Sequence, residues 1–294
     1  MSAGPRSFAC MDAAARGDPA RAWRELRDLA AAQARYLTGP RPGLAGLCAS
    51  CCGPAGTGRV RCYQCDLHWQ CAPGSLADLV VPVAYAAKGG PHAQNLWRYK
   101  SGRDGQGRDG AGPDWVGPDW VGRDSVGRET SAAAGAALRA LLLVFLREHG
   151  HCLWRGAPGG RPSHLAVVPS GRGRSGTHPL RGLLGGSLTL PWAGLTNRPA
   201  ARHPVRELDP ERFAAPRLPG ARVLLLDDTW TSGASAQSAA MALRLAGARW
   251  VAVVVLGRHL SEAGPPGAAC VAPPGLAFRL DQCAVHHDQP HRDR

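Results

Sequence analysis

The sequence predicts an α/β protein built on a parallel β-sheet, with a small metal-binding module near its N-terminus. Two observations carry this prediction. Apolar runs in the C-terminal half follow the order strand, helix, strand, and two CxxC pairs lie close together before residue 70. A chain of 294 residues is long enough for one substantial domain and one smaller module.

Three short apolar runs predict buried strands, at residues 164–169, 222–227 and 250–256. Between the last two, residues 235–246 carry Ala239, Leu243 and Ala246 on one helical face, and Gly247 follows as a C-terminal cap. A strand, a helix and a second strand in this order form a βαβ unit, which has parallel strands. Apolar residues at helical spacing predict two further helices, over 22–37 and 131–149.

Composition divides the chain into four parts: a leading helical segment (1–43), the cysteine module (44–72), the α/β domain (73–262) and a loosely ordered tail (263–294). Within the domain, residues 102–129 contain GPDWV twice in succession among glycines and aspartates. Such a segment buries too little apolar surface to offset chain entropy, so it is predicted to be a disordered insertion. The alternative is a docking motif that presents Trp115 and Trp120.

The net charge of +13 comes almost entirely from arginine, since Lys88 and Lys100 are the only lysines. Because arginine abounds together with Ala, Gly and Pro, the charge indicates a compositional bias more than a nucleic-acid surface. The N-terminus lacks the unbroken apolar core of a signal peptide, and the longest apolar run, residues 141–146, is far too short to span a bilayer. We therefore expect a cytoplasmic protein without membrane insertion.

The segment 224–235, LLLDDTWTSGAS, joins the second predicted strand to the helix that follows it. The strand ends in Asp227 and Asp228, and ligands of parallel sheets bind beyond the carboxyl ends of the strands. These two carboxylates could accept hydrogen bonds from ribose hydroxyls and keep a divalent cation nearby.

The loop after the two acids has the composition of a phosphate cradle. Its amides, from residues 230–234, can converge on a phosphate at the positive end of the helix dipole. Gly233 permits a close approach of the backbone, and Thr231, Ser232 and Ser235 add hydroxyl donors. The alternative is that the run only ends a strand and caps a helix, as Asp, Ser and Thr often do.

LLLDDTWTSGAS resembles the signature with which type I phosphoribosyltransferases bind 5-phosphoribosyl-1-pyrophosphate (PRPP): an apolar strand, two acids and a Thr/Ser/Gly loop. The resemblance implies the type I phosphoribosyltransferase fold, with Mg²⁺ bound together with PRPP and the ribose hydroxyls held by Asp227 and Asp228. It also implies a cradle for the 5-phosphate, made of Thr231, Ser232, Gly233, Ala234 and Ser235. Thr231 stands where some purine-type members carry an acid, so no catalytic base is assigned.

A second anion site is predicted after the strand at 164–169, in the loop SGRGRSG, with the residues Ser170, Gly171, Arg172 and Arg174. Arginine offers a planar fork for phosphate oxygens, and the glycines expose backbone amides. In the phosphoribosyltransferase family the loop after the equivalent strand binds pyrophosphate, and the resemblance implies that role here. The alternative is a solvated Gly/Arg loop.

Two CxxC pairs separated by ten residues, Cys48, Cys51, Cys62 and Cys65, have the spacing of a zinc-ribbon-like module. We predict structural Zn²⁺ bound by four thiolates, in preference to iron, which the same ligands would bind. The ligand set stays open at this stage, because Cys52, His68 or Cys71 could replace one member. A weaker metal candidate, Cys283 with His286 and His287, is interpreted as an ordinary tail.

A CxxC…CxxC module followed by a phosphoribosyltransferase-like domain resembles the layout of the ComF family, which is associated with DNA uptake in competent bacteria. Residues 85–88 and 97–100, which end in Lys88 and Lys100, are similar to the YxxxK-type region of that family. Both lysines are candidates for phosphate or nucleic-acid contact.

Two functions follow as expectations from these resemblances. The first is Mg²⁺-dependent transfer of a phosphoribosyl group from PRPP to an unidentified acceptor. The second is non-catalytic binding of a nucleotide or of single-stranded DNA, as an accessory to a DNA-uptake helicase.

Overall fold

The computed structural model describes residues 18–101, 125–170, 178–198, 206–260, 277–282 and 285. The helices of this part of the chain are α1 (Pro19–Ala34), α2 (Tyr63–Cys71), α3 (Pro91–Ser101), α4 (Ser125–Trp154), α5 (Pro179–Leu184) and α6 (Ala234–Leu245). The strands are β1 (Leu79–Ala87), β2 (His164–Val167), β3 (Thr196–Asn197), β4 (Phe213–Ala214), β5 (Arg222–Trp230) and β6 (Trp250–Leu260). A 3₁₀ turn, Pro210–Arg212, precedes β4.

Four strands form one sheet in the order β1-β6-β5-β2, and every neighbouring pair is parallel. The predicted α/β class with a parallel sheet is therefore confirmed. The three predicted strands correspond to β2, β5 and β6, and α6 lies between β5 and β6 as the βαβ unit requires. Both β5 and β6 continue beyond their predicted ends, so that the two acids of β5 lie inside the strand.

Sequence analysis placed no strand at β1, whose sequence LVVPVAYAA is interrupted by Pro82. Proline cannot donate a ladder hydrogen bond, so it is confined to edge strands or bulges. The structure satisfies that condition because β1 lies at the edge of the sheet and pairs only with β6 among the four sheet strands. The outer side of β1 is covered at one point, where the Tyr85 amide donates to the carbonyl of Thr38 over 2.8 Å.

The two faces of the sheet carry separate apolar cores. On one face, alternate residues of β5 and β6, including Leu224, Leu226 and Val254, pack against α3 and α4. On the other face, the intervening residues, including Val223 and Leu225, pack against α6 and the four cysteines of the N-terminal module. This alternation follows from the period of two along a strand, and it gives a three-layer arrangement.

Helix α4 is apolar on nearly all sides in its buried part, because it lies between two layers. One side contacts the sheet, and the other contacts α1, whose buried Gln33 donates from Nε2 to the carbonyl of Ala137 over 2.8 Å. The helices predicted over 22–37 and 131–149 correspond to α1 and α4. Helix α4 begins at Ser125, so the last five residues of the predicted insertion 102–129 are helical, and 102–124, with Trp115 and Trp120, lie outside the described residues.

Part of the tail predicted to be loosely ordered packs on the domain. Phe278 is buried in the core beside Leu37, whose carbonyl accepts from the Phe278 amide over 3.3 Å. His149 on α4 contacts the carbonyl of Leu280 over 2.6 Å. Residues 277–282 of the predicted tail 263–294 therefore contact the domain, and the buried Phe278 side chain contributes apolar surface to that contact.

No helix in the described part of the chain combines the length and apolarity needed to cross a membrane.

Candidate phosphate-binding site and metal centre

Most of the predicted ligand-binding residues lie at one edge of the sheet, where the four parallel strands have their carboxyl ends. Lys88 directly follows β1, Ser170 comes shortly after β2, and Asp227 and Asp228 lie near the end of β5. Lys88 is exposed there, and its charge helps to lower the pKa of His259 at the end of β6, after the larger effects of burial and Arg258.

The two adjacent acids point to opposite faces of the sheet, because side chains alternate along a strand. Asp228 follows Leu224 and Leu226 on the face that carries α3, and it is buried. Asp227 follows Leu225 on the face that carries α6, and it is half-buried. The site therefore places one carboxylate on each side of the sheet edge.

Asp228 is held by two neighbouring residues of α3. The Tyr99 hydroxyl donates to Oδ2 over 2.5 Å, and Lys100 Nζ lies 2.6 Å from Oδ1 in a partly buried ion pair. Burial alone would raise the pKa of Asp228, but the Lys100 charge and the hydrogen bonds from Lys100 and Tyr99 outweigh it and hold the pKa below its ordinary value. Lys100, predicted as a phosphate or nucleic-acid contact, is thus placed beside the acids.

Asp227 has the opposite electrostatic environment. Burial and the adjacent negative charge of Asp228 raise its pKa to about 8, against smaller lowering effects of Lys100 and backbone hydrogen bonds. Its Oδ1 accepts from the Asp228 amide over 2.8 Å. Without a cation nearby, this carboxyl is largely protonated at neutral pH, and a bound cation would favour its ionised form.

Arg212 is a charged residue of this region that sequence analysis did not single out. It is 6% exposed, its charge interacts with Asp209 and Asp227, and its Nη1 has no hydrogen-bond partner among the described residues. Its burial lowers its pKa. Nothing in the local sequence PERF marks this arginine, because its relation to Asp227 arises only when the 3₁₀ turn packs beside α6.

The loop between β5 and α6 leads directly into the first turn of α6. Thr231 is exposed, Ser232 and Ser235 are half-buried, and Ala234 is buried at the first turn of a twelve-residue helix. Ser232 Oγ accepts a hydrogen bond from the Ala234 amide over 3.3 Å. This hydroxyl therefore stabilises the turn that precedes α6.

Both the backbone conformation and the packing at position 233 require a glycine. It has a φ of +83°, a left-handed value that favours glycine. A Cβ at this position would also overlap the indole of Trp230, which is 1% exposed and packs beneath the loop. The bulky Trp230 is therefore accommodated because the residue opposite it has no side chain.

The predicted pyrophosphate loop is described only at its start. Ser170 follows β2 at the carboxyl edge, and its carbonyl accepts from Asn197 Nδ2 over 2.8 Å. Gly171, Arg172 and Arg174 lie outside the described residues.

Four cysteines form a group that is able to bind a metal ion. The sulfur atoms of Cys48, Cys51, Cys62 and Cys65 all lie within 4.8 Å of one another, and the Cys51 and Cys62 sulfurs are 3.8 Å apart. Four thiolates around Zn²⁺ at about 2.3 Å would have sulfur–sulfur edges of about 3.8 Å. The donor set therefore fits a tetrahedral structural site with no open position.

The alternative ligands do not join this group. Among the described residues, Cys52, His68 and Cys71 are not part of the four-sulfur cluster. Burial and the nearby Cys51 and Cys48 raise the pKa of the Cys52 thiol to about 12, which opposes thiolate formation. The weaker candidate Cys283, His286 and His287 lies outside the described residues.

Comparison of the chain with models of known protein families, with curated proteins and with solved structures finds no match in any of the three.

Proposed function

We propose that this protein binds PRPP with Mg²⁺ at the carboxyl edge of its sheet and transfers the phosphoribosyl group to an acceptor that is not yet identified. The observation that carries the proposal is the order of three features along the chain: the two acids of β5 are followed directly by the loop that contains Gly233, and this loop leads into the N-terminus of α6. Amides at a helix N-terminus bind phosphate, and carboxylates beside them suit Mg²⁺ and ribose hydroxyls.

Each group has a distinct role in this proposal. Residues 231–235 hold the 5-phosphate, while Asp227 and Asp228 hold the ribose hydroxyls near Mg²⁺. Lys100 lies close enough to Asp228 to supply positive charge on the α3 side of the edge. As the bond from the ribose C1 carbon to pyrophosphate breaks, the electron pair leaves with pyrophosphate, and the sugar becomes oxocarbenium-like before the acceptor attacks.

The four-cysteine module supports a proposal about the metal and the family. We propose that this module binds a structural Zn²⁺ ion. We also propose that the protein belongs to the ComF family and is located in the cytoplasm. The support is the combination of a parallel-sheet domain and a four-sulfur cluster packed on one face of its sheet.

The first test is an Asp227→Asn protein, which should bind PRPP and Mg²⁺ about 10–100-fold more weakly because an amide cannot replace a carboxylate that accepts charge-assisted hydrogen bonds. Isothermal titration calorimetry measures the change. Asp281→Asn is the matched control, since Asp281 is an exposed carboxylate paired with Arg279. Unchanged affinity in a folded Asp227→Asn protein would remove the assignment of PRPP to this site.

The same residue gives the binding a characteristic pH dependence. With a pKa of about 8, Asp227 is mostly protonated at pH 7 and mostly ionised at pH 9. If the ligand requires the carboxylate, the affinity should rise by about tenfold between these values in the natural protein and stay flat in Asp227→Asn.

The stability of the ligand-free protein should change in the opposite direction. A raised carboxyl pKa means that the folded state holds this proton more tightly than the unfolded state does. The contribution of Asp227 to stability is therefore lost as pH rises from about 4 to about 8. Asp227→Asn should accordingly melt at a higher temperature than the natural protein at pH 8, and the difference should shrink toward pH 4.

A second function, non-catalytic binding of single-stranded DNA, is favoured by two exposed aromatic side chains of the cysteine module. Tyr63 and Trp69 on α2 are 67% and 48% exposed, and the Arg61 guanidinium lies 4.2 Å from the Trp69 ring centroid. Exposed aromatic rings beside arginine provide stacking surfaces and charge for unpaired bases and their phosphates.

This alternative predicts that Trp69→Ala weakens binding of a fluorescently labelled oligothymidylate by about tenfold, since each stacked base contributes about 1–3 kcal/mol. Fluorescence anisotropy provides the measurement. Tyr36→Ala is the matched control, because Tyr36 is another exposed aromatic residue, at the end of α1. Equal affinities for all three proteins would exclude Trp69 as a contact for single-stranded DNA.

A further inference from the structure

Arg258 on β6 joins the four-cysteine module to the proposed phosphate loop. It is 8% exposed, and it lies opposite Trp230 in the parallel pairing of β5 with β6. Sequence analysis did not select it among the many arginines of the chain. Its position allows one guanidinium group to contact both parts of the molecule.

On the side of the loop, Arg258 holds two consecutive carbonyl groups. Its Nη1 donates to the carbonyls of Trp230 and Thr231, each over 3.2 Å, and to that of His259 over 2.5 Å. The Thr231 carbonyl belongs to the same planar peptide unit as the Ser232 amide, and the two groups point in opposite directions. By fixing this carbonyl, Arg258 directs the Ser232 N–H away from the guanidinium and sets its orientation in the loop.

On the side of the module, the same guanidinium packs against the first cysteine turn. The carbonyl of Gly53 in this turn accepts from the Cys48 amide over 2.7 Å, so the surface that the guanidinium contacts is tied to one of the four cysteines. Burial would lower the pKa of Arg258, but the nearby Cys51, Cys62 and Cys65 raise it. The contact depends on Gly53: a Cβ there would overlap the guanidinium and lie 2.8 Å from Cζ and Nε. Gly53 does not have a left-handed φ, so its backbone conformation does not require glycine. Glycine is needed there because Arg258 occupies the space that a side chain would fill.

We propose that Arg258 is a positioning residue through which occupancy of the four-cysteine metal site sets the affinity of the 231–235 loop for phosphate ligands. The identity of the ligand, PRPP, rests on the proposed function. The coupling between the metal site and the loop does not depend on it. A bound divalent cation would fix Cys48 and Cys51 and, with them, the turn that ends at Gly53, on which the buried guanidinium packs. When the metal is lost, this turn is no longer held, and the guanidinium loses the fixed position from which it aligns the two loop carbonyls.

The decisive variant is Gly53→Ala, which displaces the guanidinium without changing Arg258 or any cysteine. We expect it to keep its zinc, to bind PRPP with Mg²⁺ about tenfold more weakly, and to show faster hydrogen–deuterium exchange of amides in residues 230–235. Gly156→Ala is the matched control, because a Cβ at Gly156 meets nothing within 4 Å and its φ is not left-handed. It should behave like the natural protein in all three measurements.

A second variant, Arg258→Lys, covers the case in which Gly53→Ala loses its metal or fails to fold. Lysine keeps the charge but cannot contact both the turn at Gly53 and the loop carbonyls with one planar group. In the natural protein, removal of zinc with a chelator should accelerate exchange in the loop. In Arg258→Lys exchange should already be fast, and chelation should add little.

The outcomes separate this inference from the proposed function. If the natural protein does not bind PRPP, the proposed function fails, and the exchange measurements still decide whether the metal site and the loop are coupled. If chelation accelerates exchange equally in the natural protein and in Arg258→Lys, or if zinc-loaded Gly53→Ala keeps the exchange of the natural protein, Arg258 does not transmit metal occupancy and the inference is overturned.

Discussion

A Cys62→Ser protein is expected to lose its metal and to unfold at a much lower temperature than the natural protein. Structural zinc contributes about 10–16 kcal/mol of binding free energy in small zinc-finger peptides, and that energy is available only to the folded module. The loss should extend beyond the module here, because the four cysteines belong to the same apolar cluster as β5, β6 and α6. The metal content follows from elemental analysis, and the stability from thermal unfolding.

Cys71→Ser provides the control for this experiment. Cys71 is exposed at the end of α2 and lies outside the four-sulfur cluster, so its replacement should leave both zinc content and melting temperature unchanged. Retention of one zinc per chain in Cys62→Ser would show that the ligand set differs from the four cysteines that the structure brings together.

Gly233→Val is expected to destabilise the protein by about 3 kcal/mol or more, because the new side chain meets two independent penalties. A left-handed φ costs a branched residue about 1–2 kcal/mol, and overfilling a packed region typically costs about 1–3 kcal/mol. The overlap with the Trp230 indole causes the second penalty. For a domain of this size the melting temperature should fall by about 6–12 °C.

The Trp230→Leu background separates the packing requirement from the phosphate-binding role. There the Gly233→Val substitution should lose its packing penalty and keep the conformational one, so the two substitutions should be non-additive in thermal unfolding. If PRPP affinity stays low in the folded double variant, a Val side chain obstructs the backbone approach to the phosphate. Normal affinity would mean that Gly233 serves packing alone.

The fold was largely predictable because its main signals are local. The apolar runs of β2, β5 and β6, and the helical spacing of α1, α4 and α6, are each contained in a short stretch of sequence. Strand β1 was missed for a physical reason: Pro82 is compatible with a strand only at the edge of a sheet, and edge position is a property of the whole topology.

The candidate site was predictable only in part, because its charged contacts join distant segments. The acids, the loop and the four cysteines lie in compact motifs, and those motifs could be recognised. The pairing of Lys100 with Asp228 and the bridge made by Arg258 connect residues on different elements, and no pattern within either segment specifies them. Arg212 likewise acquires its relation to Asp227 from packing around α6.

The strand order has a consequence for synthesis on the ribosome. Strand β6, the last strand in the described part of the chain, occupies an interior position between β1 and β5, so β1 has no partner in the described sheet until residues 250–260 emerge from the exit tunnel. Within this four-stranded sheet, only the pairing of β2 with β5 can form earlier, and the long-range pairing of β1 is intrinsically slow. Nascent chains that stop before Trp250 should therefore remain open to proteases and chaperones, and the sheet should close only after β6 has emerged.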